Sequence, residues 1–293
     1  MTIRPRRSVL YMPGSNARAL EKAKTLAADG LILDLEDAVA PDAKAAARDQ
    51  VVAAVKAGGF GTHEVFIRTN GFDTPWFADD LTAATAAAPD AILIPKISTA
   101  EQLELIAQRL LSMHIHQKVR IWAMIETPAA IFNVRQIASA ARDAETRLTG
   151  FVLGTNDLAK ETRARIVPGR APMLAWLTTC VLAAREHGID ILDGVYNDIS
   201  NADGFIEECA QARDLGFDGK TLIHPNQIEP CNTMFSPSAE EIAQARKIIV
   251  AFEQPDNKDK GVVQVDGRMV ERMHAEMARR TVAIAEAIAA MKD

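Results

Sequence analysis

Cysteine is scarce in this chain: Cys180, Cys209 and Cys231 are the only three in 293 residues, and their spacing matches no metal site. An odd count without a secretory leader speaks against a disulfide framework. It points to buried thiols in a reducing cytoplasm. The basic stretch Arg4–Arg7 is followed only by Ser8–Met12 before Pro13-Gly14, too short an apolar run for a signal sequence. No run approaches the roughly 18 apolar residues of a membrane span. Gly-x-Ser-x-Gly, Walker and dinucleotide fingerprints are missing, so a serine hydrolase, a P-loop enzyme and a dinucleotide-binding fold find no support. Basic excess is missing too. The net charge of −6 makes nucleic acid or an anionic membrane a poor partner.

What is present is a repeat of short apolar runs: Arg7–Met12, Leu31–Leu35, Glu64–Ile67, Ala91–Ile94, Val119–Ile125, Gly150–Leu153, Gly188–Leu192 and Gly219–Ile223. They start about 24 to 38 residues apart, the length of a strand, loop and helix. Continuous apolar runs suit parallel strands covered on both faces. Alanine-rich segments with helical spacing lie between them. Ser98–Glu101 reads as a capping box ahead of Leu103, Ile106 and Leu110, and Met173, Leu177, Val181 and Ala184 form a second stripe. The arrangement predicts an α/β fold, a (β/α)8 TIM barrel over residues 1–235, in preference to an open doubly wound sheet. Residues 236–293 are expected to form a C-terminal helical extension or lid. In it Ser238–Glu241 caps a helix, Asp266-Gly267 turns a small β element, and a last helix runs from Glu271 to Met291.

In a barrel the strand ends share one mouth, and here they carry chemistry. Glu126 and Asp157 follow neighbouring runs, and such a carboxylate pair suits one hard cation. The alternative for Asp157 is a helix cap. Asp34, Glu36 and Asp37 make the second strand end acidic. Glu36 and Asp37 are candidates to hold metal-bound waters, and Asp37 is a candidate catalytic carboxylate or a helix cap. Arg68 is either an ion-pair partner or a receptor for a substrate carboxylate or developing enolate. Lys96 is a counter-ion to the acids or a catalytic group. The loop Tyr11–Asn16 leads into a helix N-terminus that suits an anion, although Pro-Gly is also an ordinary turn. Lys22 by itself is a solvated charge. His224, at the eighth strand end, is a wall residue or a site residue.

On these stretches the chain resembles the citrate lyase β-subunit-like CoA-ester lyases of the HpcH/HpaI aldolase superfamily. The matching residues are Arg7–Gly14, Leu31–Val39, Arg68–Gly71, Leu93–Lys96, Glu126–Pro128, Gly154–Leu158 and Gly219–Pro225. Gly154–Glu161 and Val265–Glu271 look most like the malyl-CoA lyase and malyl-CoA thioesterase branch. The resemblance implies a magnesium-dependent lyase, with manganese as the alternative ion. It would cleave a malyl-CoA or citramalyl-CoA type thioester to a 2-oxo acid and an acyl-CoA. The alternatives are a malyl-CoA thioesterase, or a citrate lyase β-type subunit working on an acyl-carrier partner. Carried over by position, Glu126 and Asp157 bind the metal and Arg68 contacts the 2-oxo acid. Tyr11 and Lys22 contact CoA, with Asn16 standing where malyl-CoA lyases often carry arginine. Ile223 and His224 line the acyl end. Glu271 stands where many relatives present an aspartate from a neighbouring subunit, which implies a homotrimer or homohexamer with the lid supplied in trans.

Overall fold

The strands β1 (Ser8–Pro13), β2 (Gly30–Asp34), β3 (Glu64–Arg68), β4 (Ala91–Ile94), β5 (Arg120–Ile125), β6 (Leu148–Leu153), β7 (Asp190–Asp193) and β8 (Gly219–Leu222) close into one barrel in chain order. The computed structural model describes residues 3–113 and 115–291. Each barrel strand pairs parallel with the next, and β8 returns to β1 with Lys220 opposite Ser8. The connecting helices are α1 (Ala17–Ala23), α2 (Lys44–Ala57), α3 (Phe77–Ala87), α4 (Ala100–Ser112), α5 (Pro128–Ser139), α6 (Thr155–Thr162), α7 (Leu174–His187) and α8 (Ala202–Leu215). The expected α/β barrel is the fold. Residues Arg6–Asn232 make up one compact unit.

Helix starts follow local chemistry. The capping box of α4 sits one residue later than the sequence suggests: Thr99 and Gln102 form it. Ser98 is used elsewhere, its hydroxyl lying 2.7 Å from Thr127 Oγ1. Thr127 in turn caps α5, and Pro128 at the first helical position needs no N–H partner.

Side chains alternate along each strand, so the register fixes what enters the barrel. Val9, Ile32, Phe66, Ala91, Leu93, Trp122, Met124, Val152 and Leu192 form the inner cluster, with Tyr11 packed against it. Phe66 and Trp122 meet edge to face at 5.3 Å. Trp122 fits because its partner on β6 is Gly150, where a Cβ would lie 2.6 Å from the indole. Two residues beyond Ile32 and Phe66 stand Asp34 and Arg68, opposite each other in the ladder. The same alternation that buries the apolar layer therefore turns this pair inward at the mouth.

A second buried charge cluster ties β7 and β8 to the helical layer. Lys220 Nζ lies 2.7 Å from both Asp193 Oδ2 and Glu208 Oε1, and Arg170 Nη1 lies 2.8 Å from both Asp193 oxygens. Lys220 and Asp193 are fully buried.

From Thr233 the chain belongs to a second compact unit. The division falls within α9 (Ile228–Phe235), and α10 (Ala239–Glu253) and α11 (Arg272–Ala290) follow. Between these two lies the hairpin β9 (Val262–Val265) and β10 (Arg268–Glu271). Its turn residues Asp266 and Gly267 both have positive φ, at 48° and 79°, as a two-residue hairpin turn requires. Phe252, Val263, Val265, Val270 and Ala275 form a small core of this unit. Among the described residues, no helix is long and apolar enough to cross a membrane.

Removing one cation from a buried ion cluster leaves its acids short of compensating charge, at a cost of up to about 3–5 kcal/mol. Lys220→Met is expected to lower the urea midpoint accordingly at unchanged slope. A midpoint equal to that of the parent protein would contradict the structural role of this cluster.

Candidate active site

The mouth is organised around Arg68. Its Nε and Nη2 donate to Asp34 Oδ1 and Oδ2, each at 2.6 Å, a bidentate pair. Its Nη1 lies 2.8 Å from Glu36 Oε2 and 3.6 Å from Asp37. The Tyr11 ring covers the guanidinium at 4.8 Å. Burial opposes charge on both partners. The Asp34 charge nonetheless holds the Arg68 pKa well above its usual value, and Arg68 holds Asp34 below its own. Asp34 also accepts from the backbone N–H groups of Glu36 and Ala38, at 2.9 and 3.1 Å. That folds the β2 end so that Glu36 turns back towards Arg68.

Glu126 follows β5 and is 1 % exposed. Its Oε1 accepts from the backbone N–H of Lys96 at 2.8 Å. The side chain lies across Gly154 at the end of β6, where any Cβ would collide with it. Burial, and then the charges of Glu36 and Asp157, push its pKa up to about 8. Asp157 sits in the first turn of α6, whose N-cap is Gly154, and it lines the cleft rather than ending the strand itself. Lys96 Nζ donates to Glu36 Oε1 at 3.0 Å.

These groups border a cleft of about 330 Å³. Tyr11, Asp34, Asp37, Arg68, Glu126 and Asp157 line one part of it, and Met124, Leu153, Val195, Thr221 and Ile223 another. Among the described residues, no group of three His, Cys, Asp or Glu side chains converges as a ready-made metal cage. Two carboxylates open to a cleft suit magnesium, which takes few protein oxygens and completes its shell with water and substrate. The raised pKa of the buried Glu126, with the charges of Glu36 and Asp157 beside it, marks a place short of positive charge. The donor set thus fits a hard divalent cation.

The HpcH/HpaI aldolase/citrate lyase family matches residues 7–225. The chain belongs to that family. It is 50% identical over 288 residues to a (3S)-malyl-CoA thioesterase of Cereibacter sphaeroides (strain KD131 / KCTC 12085), covering 98% of this chain and 97% of that one. It is 33% identical to the citrate lyase subunit beta of Escherichia coli (strain K12), covering 97% and 94%. Protein CitE from Mycobacterium tuberculosis, solved with magnesium, acetoacetate and coenzyme A, superposes with a TM-score of 0.77 at 29% identity, covering 96% of this chain and 98% of that one.

Within this family barrel the sequence-derived residues separate into groups. Tyr11, Asp37, Arg68, Glu126, Asp157 and Ile223 all line the cleft, and Glu36 and Lys96 join it through their contacts with Arg68 and Glu126. His224 is used locally: Nδ1 accepts from Asn226 N at 3.2 Å and caps the turn Pro225–Gln227. Lys22 is exposed in the last turn of α1, and Asn16 caps that helix by accepting from Ala19 N. Glu271 caps α11 together with His274, whose Nδ1 accepts from Glu271 N at 2.9 Å. Sequence reasoning did not single out Met124, Leu153, Thr155, Val195 or Thr221. Apolar and hydroxyl residues at strand ends carry no signal apart from strand register.

A carboxyl with a folded pKa of about 8 keeps its proton where an ordinary one, at 4.5, has lost it. The stability this gives is complete below about 4.5, declines as pH rises, and is gone above about 8. Metal-free protein is therefore expected to lose melting temperature across that window relative to Glu126→Gln, which cannot titrate there. Parallel curves for the two proteins would contradict the environment assigned to Glu126.

Proposed function

We propose that the protein is a magnesium-dependent enzyme acting on malyl-CoA-type thioesters, with thioester hydrolysis as its main outcome. The observation that carries this reading is the buried Glu126 beside Asp157 at the edge of a cleft bordered by Arg68. The 50% identity to a malyl-CoA thioesterase over nearly the whole chain supports hydrolysis ahead of carbon–carbon cleavage. That order is the reverse of the one expected from the sequence.

Glu126 and Asp157 would hold the ion. Once bound, magnesium would supply Lewis-acid polarisation of substrate oxygens. Arg68 cannot swing, because Asp34 holds two of its nitrogens. It binds the terminal carboxylate and fixes the acyl group in one orientation. Asp37, at the cleft rim and 65% exposed, takes a proton from the attacking water. Met124, Leu153 and Ile223 exclude further water from the acyl chain. Manganese is the expected substitute ion.

Carbon–carbon cleavage is the second reading, favoured by the 29% identical CitE structure with magnesium, acetoacetate and coenzyme A. It yields a 2-oxo acid and an acyl-CoA. Glu271 enters only this route, as the acid that protonates the departing enolate. A homotrimer or homohexamer would supply it from a neighbouring chain.

Purified protein with malyl-CoA and magnesium is expected to release free CoA and malate without glyoxylate. Glyoxylate without free CoA would replace hydrolysis by cleavage, and neither product would remove malyl-CoA as substrate. Glu126→Gln is expected to lower CoA release about a hundredfold or more. If cleavage is a side activity, Glu271→Gln lowers glyoxylate release and leaves CoA release intact. Equal loss of both products would place Glu271 in a shared step.

A further inference from the structure

Lys96 has a backbone conformation that its residue type does not favour. It follows Pro95 in the turn after β4, with φ at +57°. Gly or Asn is the usual residue at such a position, because a Cβ crowds the following carbonyl. Strain of this kind persists where the surroundings enforce it, and it gathers at functional sites. Here two contacts accompany it. The Lys96 N–H donates to Glu126 Oε1 at 2.8 Å, and the ammonium donates to Glu36 Oε1 at 3.0 Å. A third tie holds the loop from behind, where Ser98 Oγ donates to Lys96 O at 3.3 Å and meets Thr127 Oγ1.

Glycine in this turn would satisfy the backbone and still present the N–H to Glu126. The side chain must therefore account for lysine. Its side chain is 40% exposed, and its ammonium pairs with Glu36, which also meets Arg68 at the mouth. Burial lowers its affinity for a proton, but the charges of Glu36, Glu126 and Asp157 more than reverse this. The ammonium thus lies in the field of the two carboxylates assigned to the ion, while Arg68 is committed to Asp34 and Glu36. Lys44, the other nearby cation, points its Nζ at the carbonyls of Leu35 and Glu36.

We propose that Lys96 is a positioning residue with a built-in competing charge: its backbone aims Glu126, and its ammonium offsets the carboxylate field and keeps the affinity for the free divalent cation low. This rests on the metal reading given above. Its consequence is that the ion is held firmly only once substrate oxygens complete the shell, so binding of ion and thioester become coupled.

The test is a titration of the full chain with manganese alone, followed by electron paramagnetic resonance of the free ion. Lys96→Met and Lys96→Gly both remove the ammonium, and Lys96→Arg keeps the charge. The two neutral variants are expected to bind manganese roughly fivefold or more tightly than the parent, with the arginine variant close to the parent. A damaged loop weakens binding, so a gain in affinity reports loss of a competing charge and not loss of structure. Equal or weaker binding by both neutral variants, beside a parent that binds, overturns the role of Lys96. Binding by none of the four proteins overturns the metal reading itself, and the Lys96 inference with it.

Discussion

The barrel mouth depends on one ion pair, Asp34 with Arg68, facing each other across β2 and β3. Both are nearly fully buried, and desolvating two charges is offset only when the geometry is good and the remaining polar atoms are bonded. Here both conditions hold. The fork is bidentate, and the Asp34 oxygens also accept two backbone N–H groups. Those backbone bonds bend the chain after β2 and place Glu36 against Arg68. Glu36 reaches Lys96, and the Lys96 N–H reaches Glu126. One connected set of charges thus crosses four successive strands, and each member is held by the one before.

The set is not neutral. Asp34, Glu36, Asp37, Glu126 and Asp157 face Arg68, Lys96 and the nearby Lys44. In a buried site that excess has three outlets: a proton, a cation, or expansion of the structure. Glu126 shows the first outlet, with a pKa raised to about 8. A divalent ion is the second, and it would displace that proton. Acid–base state and ion occupancy are therefore two descriptions of the same shortage of positive charge.

Much of this was legible before the structure. The Ala91–Ile94 run is β4 without change, and Glu64–Ile67 differs from β3 by one residue. Continuous apolar composition marks strands covered on both sides, and period-two alternation then assigns Asp34 and Arg68 to the interior. Glu126 follows β5 as the sequence suggests, whereas Asp157 lies in the first turn of α6, and both line the cleft. What escaped is what depends on distant partners. Lys220 in Gly-Lys-Thr-Leu gives no sign that Asp193 and Glu208 will neutralise it, or that Arg170 will share Asp193 with it. His224 looks chemical in sequence, yet its nearest unsatisfied donor is two residues on, and it caps its own turn. Positive φ at Lys96 has no signature beyond the preceding proline.

Calorimetric titration of magnesium into the protein at pH 7, repeated in two buffers of different ionisation enthalpy, addresses the shortage of charge directly. The account predicts about one ion bound per chain and close to one proton released with it, because Glu126 must give up its proton to accept the ion. Binding without proton release, or release that persists in Glu126→Gln, would contradict the account.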